Sequence, residues 1–367
     1  MAEAKSSPTI DVTTVSDTVA IVHVTRPGTF EVDTHRFEDL PPGADIHLDV
    51  PDPFERGATR TVTTRTLKQP SGTPHSVFAT VNDVHFGELD AGKIDNLTIG
   101  PIRRAEAGGD PYPEVMNRGA ADAIAAIRPD AVVVKGDLSL DGAPEEWAAF
   151  ERCYRDPFGN RLHVVRGNHD SYRFQSEYAG DQRIDIPGVT IALLDTVIPG
   201  STTGDFTSEQ ADWLDTLAAE TTQPVIVMGH HQQWIASPDA KRREANRNDD
   251  YFGLHPDGSD RLDEVCARRT AIVAYTCGHT HRHRVRTMTT SRIPSVEIGC
   301  TKDFPGTWAE YRVHDDAIMQ VVHRISSPAA LAWSESCRGL YADFDIDYES
   351  YALGTLEDRC FVIPTAR

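Results

Sequence analysis

The chain has no stretch approaching the roughly 20 apolar residues needed to span a bilayer. Its N-terminus, Met-Ala-Glu-Ala-Lys-Ser-Ser-Pro, lacks the apolar core of a secretory leader, so a cytoplasmic protein is expected. Positive charge is short as well: 36 Lys and Arg stand against 56 Asp and Glu, for a formal net charge of −20. A general binder of nucleic-acid duplex or anionic membrane needs a basic face, so neither partner is expected. The acidic balance does not exclude a phosphate substrate, because bound divalent cations reverse the sign locally. The six cysteines (Cys153, Cys266, Cys277, Cys300, Cys337, Cys360) include no C-x-x-C pair. They read as reduced core residues, with a Cys337–Cys360 bridge as the alternative. No internal repeat or low-complexity segment stands out.

What is present is ordinary globular material, 39% hydrophobic and 25% charged over 367 residues, a length that favours more than one domain. Residues 8–67 are β-branched and broken by Pro and Gly. Thr18–Thr25, Ala44–Val50 and Thr61–Leu67 show partial alternation, the pattern of a small antiparallel sandwich. Lys68–His75 reads as a linker. The alternative is that these strands extend the main sheet.

From Ser76 onward strands and helices alternate. Strands are predicted at 76–81, 131–134, 162–165, 189–194, 225–228 and 271–275. Helices are predicted at 113–127, 144–153 and 260–268, and a further one opens at a Thr207/Gln210 capping box and runs to about Glu220. This is an α/β domain with its strands covered on both faces. Three long stretches, 87–110, 232–255 and 326–367, read as irregular. The expected division is 1–74, a β-sandwich and linker; 75–325, the α/β domain; and 326–367, an extension packing on or near it.

Five short segments carry the chemistry: Asp83-Val84-His85, Gly136-Asp137, Gly167-Asn168-His169-Asp170, Gly229-His230-His231 and Gly278-His279-Thr280-His281. Each follows a predicted strand closely, and in such sheets ligands bind at the strands' carboxyl ends. Carboxylate, amide and imidazole groups at one rim suit two metal ions with a bridging group, an open position for substrate and a hydroxide formed at neutral pH. The glycines are expected to permit tight turns. Any one segment alone is weak, since H-x-H arises by chance and a strand-terminal Asp is commonly a turn former. Their conjunction in order is not weak.

The ordered set D-x-H, G-D, G-N-H-D, H and G-H-x-H resembles the calcineurin-like metallophosphoesterase superfamily over about Phe78 to Ile298. The resemblance implies a four-layer α/β/β/α sandwich, here behind a small all-β, fibronectin-like domain. It places Asp83, His85 and His281 on one ion and Asn168, His230 and His279 on the other, with Asp137 bridging. His169 would sit by the scissile phosphate. His230 is favoured over His231, although Gln232 stands where the family usually has Pro. The N-terminal β-segment is similar to the layout of purple acid phosphatases. Two residues depart from those enzymes: Leu140 replaces the tyrosinate, and His85 gives the D-x-H form of class III cyclic nucleotide and glycerophosphodiester phosphodiesterases.

The implied cofactor is two divalent or mixed-valence ions (Mn, Fe, Zn or Co), since N/O ligands without thiolate suit all four. The implied reaction is hydrolysis of a small-molecule phosphodiester by a metal-bridging hydroxide. A phosphomonoesterase and a non-catalytic scaffold are the alternatives, and homo-oligomerisation is left open. Arg103 and Arg104 are read as a solvated pair or a phosphate clamp, and His283 as facing the cleft or not. Trp147, Trp213 and Trp234 are read as packing residues, with Trp234 alternatively walling the pocket. Lys241-Arg242-Arg243 is read as a solvated loop.

Overall fold

The structure is a computed structural model describing residues 7–52, 57–93, 100–105, 108–237, 241 and 246–366. Five N-terminal strands come first: β1 (Thr9–Val15), β2 (Ala20–Thr25), β3 (Val32–Phe37), β4 (Asp45–Pro51) and β5 (Thr59–Arg65). The first three form an antiparallel sheet, while β4 and β5 form a separate hairpin. β4 alternates strictly, turning Ile46, Leu48 and Val50 inward onto Val15, Val22 and Val24 of the facing sheet. These strands do not extend the main sheets. The unit is nonetheless tied to them, because Thr14 Oγ1 donates to the Val322 carbonyl at 2.8 Å.

The rest of the chain builds two six-stranded sheets. The elements are β6 (Ser76–Val81), β7 (Asp90–Ala91), β8 (Arg103–Arg104), α1 (Tyr112–Ala126), β9 (Ala131–Lys135), and α2 (Pro144–Phe150), which continues through a π turn into α3 (Asp156–Phe158). Then follow β10 (Leu162–Val165), β11 (Gln182–Ile186), β12 (Val189–Leu193), α4 (Ser208–Glu220), β13 (Val225–Met228), α5 (Pro256–Arg268) and β14 (Ile272–Cys277). The chain ends with β15 (Arg284–Thr287), β16 (Pro294–Glu297), β17 (Thr307–Val313), β18 (Ala317–Arg324), α6 (Pro328–Ser336), α7 (Tyr348–Leu353), α8 (Leu356–Arg359) and β19 (Phe361–Pro364).

One sheet has the order β10-β9-β6-β17-β18-β19 and the other β11-β12-β13-β14-β16-β15. Phe78, Val133, Ile191, Ile226, Tyr311 and their neighbours fill the space between the sheets. α1, α2 and α6 cover the outer face of the first, and α4 and α5 that of the second. The result is the four-layer α/β/β/α arrangement. β9, Ala-Val-Val-Val-Lys, is buried throughout because both its faces are covered. On α1, Met116, Ala120 and Ile124 recur at helical spacing and pack on that sheet. The capping box at α4 forms as expected: Gln210 N–H donates to Thr207 Oγ1 at 3.2 Å and Thr207 N–H to Gln210 Oε1 at 2.9 Å.

Three expectations need correction. Residues 326–367 are not irregular: they carry α6, α7 and α8, and β19 pairs with β18 as an edge strand of the first sheet. Strands β1, β3, β11 and β15–β18 were not foreseen, and half of each sheet is antiparallel or ends in an antiparallel edge rather than following strict alternation. The stretch 87–110 contains the short β7–β8 ribbon. All six cysteines are free thiols; Cys337 and Cys360 lie in different apolar clusters, so they are not bridged.

Candidate metal centre

The five segments leave the carboxyl ends of β6, β9, β10, β13 and β14 and converge where the two sheets meet. The backbone there is unusual. Asp83 (φ 52°), His85 (φ 45°), Asp137 (φ 50°), His279 (φ 68°) and His281 (φ 55°) all adopt left-handed conformations. Each such non-glycine residue costs free energy that the surrounding structure must offset, and clusters of them mark functional sites. Of the four motif glycines only Gly136 (φ 84°) needs its conformational freedom. Gly167 and Gly278 are required for closeness instead. A Cβ at Gly278 would meet Asp83 Oδ2 at 2.5 Å, and one at Gly167 would collide with Asp137.

The residues gather into two groups that meet at Asp137. On one side stand Asp83, His85 and His281, with His281 Nε2 3.6 Å from Asp83 Oδ1 and His85 Nε2 3.5 Å from Asp137 Oδ2. On the other, His230 Nε2 lies 3.3 Å from Asp137 Oδ2, 2.9 Å from Asn168 Oδ1 and 3.2 Å from His279 Nδ1. Both nitrogens of His85, and Nε2 of His231 and of His279, are buried without a hydrogen-bond partner. Buried polar atoms normally find partners. Unpartnered imidazole nitrogens within clusters of His and Asp donor atoms form a donor set that fits divalent cations.

Electrostatics agree with that fit. Burial, joined by the charge of Asp137 and opposed by His230, pushes the Asp83 carboxyl up to about 6. Burial also resists ionisation of Asp137, yet His230 and His169 hold it well below the usual carboxylate range. His85, His279 and His281 are kept neutral chiefly by burial, the form in which imidazole binds a metal. For His230 burial works against protonation, but Asp137 outweighs it and raises the group to about 9.

His169 stands at the rim. Its backbone N–H donates to Asp137 Oδ1 at 3.0 Å and its Nδ1 donates to the Leu140 carbonyl at 2.7 Å, which fixes the orientation of the ring. Its ring meets His85 edge-on at 4.6 Å. Residues 77–283 match the sequence profile of the Metallophos family, described as calcineurin-like phosphoesterase. The chain belongs to the calcineurin-like phosphoesterase family.

Members of this family act through divalent metal ions, and the groups around Asp83, Asp137 and His230 lie inside the matched span. The chain is 30% identical over 162 residues to a probable cyclic nucleotide phosphodiesterase of Synechococcus, covering 42% of this chain and 58% of that one. It is 33% identical over 119 residues to a cAMP/cGMP dual specificity phosphodiesterase of Mycobacterium tuberculosis, covering 29% and 37%. A glycerophosphodiester phosphodiesterase of Enterobacter lignolyticus is 27% identical over 188 residues, covering 45% and 63%. The chain thus spans less than two thirds of the length of these relatives. A dimetal phosphatase from Danio rerio shares the fold, with a TM-score of 0.50 at 16% identity over 68% of this chain and 97% of that one.

The supporting roles of Asp170 and Asn82 were not foreseen. The Asp170 carboxylate accepts from the backbone N–H of Gly167 (2.8 Å), Leu138 (3.0 Å) and Ser139 (2.9 Å), stitching the Asp137 and Asn168 loops together. Asn82 donates to Asp83 at 2.6 Å and to the Ile298 carbonyl at 3.0 Å. Their signal was adjacency to the ligands in sequence. His231 is fixed by Nδ1 against Thr196 Oγ1 at 2.8 Å and packs beside both His230 and His279.

Other candidates are not brought to the centre. His283 faces the core, accepting from Gly299 N–H at 3.1 Å and meeting Thr307 Oγ1 at 3.2 Å. Arg104 pairs with Asp90, while Arg103 donates to the Ser336 carbonyl and lies over Phe30, so neither forms a clamp over the metal groups. Trp213 packs against the α4–α5 core. Trp147 is half-buried on α2, and Trp234 lies under Arg247 and is absent from the cavity walls. Lys241 is exposed, while Arg242 and Arg243 fall outside the described residues.

Proposed function

We propose that the protein is a metal-dependent phosphodiesterase acting on a small-molecule ester. In this reading Asp83, His85 and His281 hold one cation, Asn168, His230 and His279 hold a second, and Asp137 serves both. The observation that carries it is the approach of His85 Nε2 (3.5 Å) from one group and His230 Nε2 (3.3 Å) from the other to the same oxygen of Asp137, with unpartnered nitrogens on His85 and His279 beside them. When bound, the cations supply an activated water and neutralise charge on the phosphoryl oxygens.

The chain's own residues do the rest. Asp137 and Asn168 fix the geometry of the rim, and Asp170 locks the loops that carry them. His169, anchored through Nδ1, offers Nε2 to the phosphoryl oxygen or the leaving group. Diesters are favoured over monoesters because the D-x-H segment is kept at Asp83–His85 and because the curated relatives bear diesterase names. A scaffold role is disfavoured because every ligand position is filled. Mn, Fe, Zn and Co all suit this N/O donor set. Six free thiols fit a reducing, cytoplasmic setting. Residues 75–325 would be the catalytic unit, with 1–74 and 326–367 packed on it.

A side-by-side assay of bis(4-nitrophenyl) phosphate, 4-nitrophenyl phosphate and a cyclic nucleotide, with manganese or with chelator, tests this. Metal-dependent turnover that is highest on a diester supports the reading. Full turnover after exhaustive chelation, or a preference for the monoester, overturns it.

A further inference from the structure

Beside the metal groups lies a cavity of about 340 Å³ whose floor is Asp137, Asn168, His169, His279 and His281. Its opposite wall comes from the C-terminal segment: Tyr341, Ile346, Tyr348 and Tyr351. Phe252 closes one side. It is 45% exposed, and its ring stacks on His279 with centroids 4.0 Å apart. The ring thus presents apolar surface beside the metal groups that a flat ligand would cover on binding.

The tyrosines are held in place rather than loosely draped. Tyr351 OH donates to the Thr280 carbonyl at 2.9 Å, between His279 and His281, and Arg282 lies over its ring. Tyr348 OH donates to Asp303 Oδ1 at 2.7 Å, and Tyr341 meets Tyr348 edge-on at 4.9 Å. Fixed rings lose little entropy when a ligand binds. Lys93, the one lysine or arginine among the described lining residues, already pairs with Asp90.

A second cavity, of about 790 Å³, shares His169, His281, Tyr172 and Tyr341 with the first. Its other walls carry the charged Glu88, Asp90, Asp141 and Lys302 beside Leu89 and Leu140. The metal groups therefore sit at the junction of an aromatic chamber and a polar one.

We propose that the C-terminal segment 341–351, with Phe252, forms a subsite for a flat, uncharged ring on one arm of the ester, while the polar chamber takes the other arm. The inference rests on the phosphodiesterase reading and adds to it the chemistry of one substituent. Ring-bearing diesters are then selected over all-alkyl diesters. The signal was invisible in the sequence because 326–367 read as irregular, remote in the chain from every ligand.

The test compares kcat/KM for bis(4-nitrophenyl) phosphate and for glycerophosphoethanolamine in wild type, Phe252→Ala and Ile346→Ala, all zinc-loaded. The aryl-to-alkyl ratio should fall about tenfold in each variant, the effect of losing one ring or side-chain contact. Phe174→Ala, at a residue 75% exposed outside both cavities, serves as a control. An unchanged ratio in both test variants overturns the subsite. Saturation-transfer NMR with phenylphosphonate reads the subsite without turnover: ring-proton transfer in wild type should be lost in Phe252→Ala. If wild type hydrolyses neither diester yet shows that transfer, the hydrolase reading fails and the ring subsite stands. Absence of transfer in wild type overturns the subsite.

Discussion

Replacing Glu297 with Gln should weaken both the fold and the metal centre. Glu297 is 1% exposed at the end of β16 and is ringed by three arginines of the neighbouring segment. Arg282 Nε reaches Oε2 at 2.9 Å, Arg284 Nε reaches Oε1 at 2.7 Å and Arg286 Nη2 lies 3.4 Å from Oε1. Burial opposes ionisation, but the three cations outweigh it and bring the carboxyl from 4.5 down to about 2. At about 1.36 kcal/mol per unit, that depression corresponds to roughly 3 kcal/mol of stability. Because the folded pKa is the lower one, the contribution is complete above pH 4.5 and is lost as pH falls towards 2.

Glu297→Gln should therefore lower the unfolding free energy at pH 7 by about 3 kcal/mol and flatten the acid limb of the stability curve. The consequence reaches the centre because Thr280 Oγ1 donates to Glu297 Oε2 at 3.0 Å, fixing the turn between His279 and His281. Zinc affinity should drop about tenfold, the effect of losing a partner behind metal ligands. Urea unfolding from pH 2.5 to 7 and calorimetric zinc titration read both effects. A variant within 0.5 kcal/mol of wild type at pH 7, with an unchanged acid limb, would refute the reasoning.

Other perturbations separate chemistry from fold. His169→Ala should lower kcat by about 10²–10⁴-fold with zinc stoichiometry unchanged, and the loss should be largest for esters with poor leaving groups; steady-state kinetics on a leaving-group series checks this. Thr207→Ala removes the cap of α4 and should cost about 1 kcal/mol in urea unfolding without altering kcat. Thiol titration in denaturant without reductant should count all six cysteines, and a count of four would show a bridge that the fold does not contain.

The catalytic half of the fold was legible because its parallel strands are buried on both faces. β13 is an unbroken apolar run and β9 is one as far as Lys135, and the candidate ligands Asp137 and His230 stand two residues past the strand ends. After Gly278 the same reading failed. β17 and β18 return antiparallel, and α7 and α8 are too short for helical periodicity to register. His283 continues the two-residue spacing of His279 and His281, which suggested a shared face. The left-handed turn at His281 (φ 55°) breaks that spacing, and the His283 N–H is instead tied to the Ala352 carbonyl at 3.1 Å. Gly167 and Gly278 stood out in the sequence as turn residues, but only the packed structure shows that they make room for Asp137 and Asp83. The aromatic wall was illegible for a related reason: Tyr341, Tyr348 and Tyr351 meet the centre only through tertiary packing.

Metal stoichiometry and turnover measured together test the two-cation centre most directly. Chelated protein, reloaded with zinc or manganese and passed through a desalting column, should retain two ions per chain and regain diesterase activity in proportion. Asp137→Asn, which weakens the one carboxylate common to both groups, should retain fewer than two ions and lose activity by about 10²–10³-fold or more. Wild type that holds no stoichiometric metal, or Asp137→Asn that keeps both ions and full turnover, would contradict the shared-carboxylate centre.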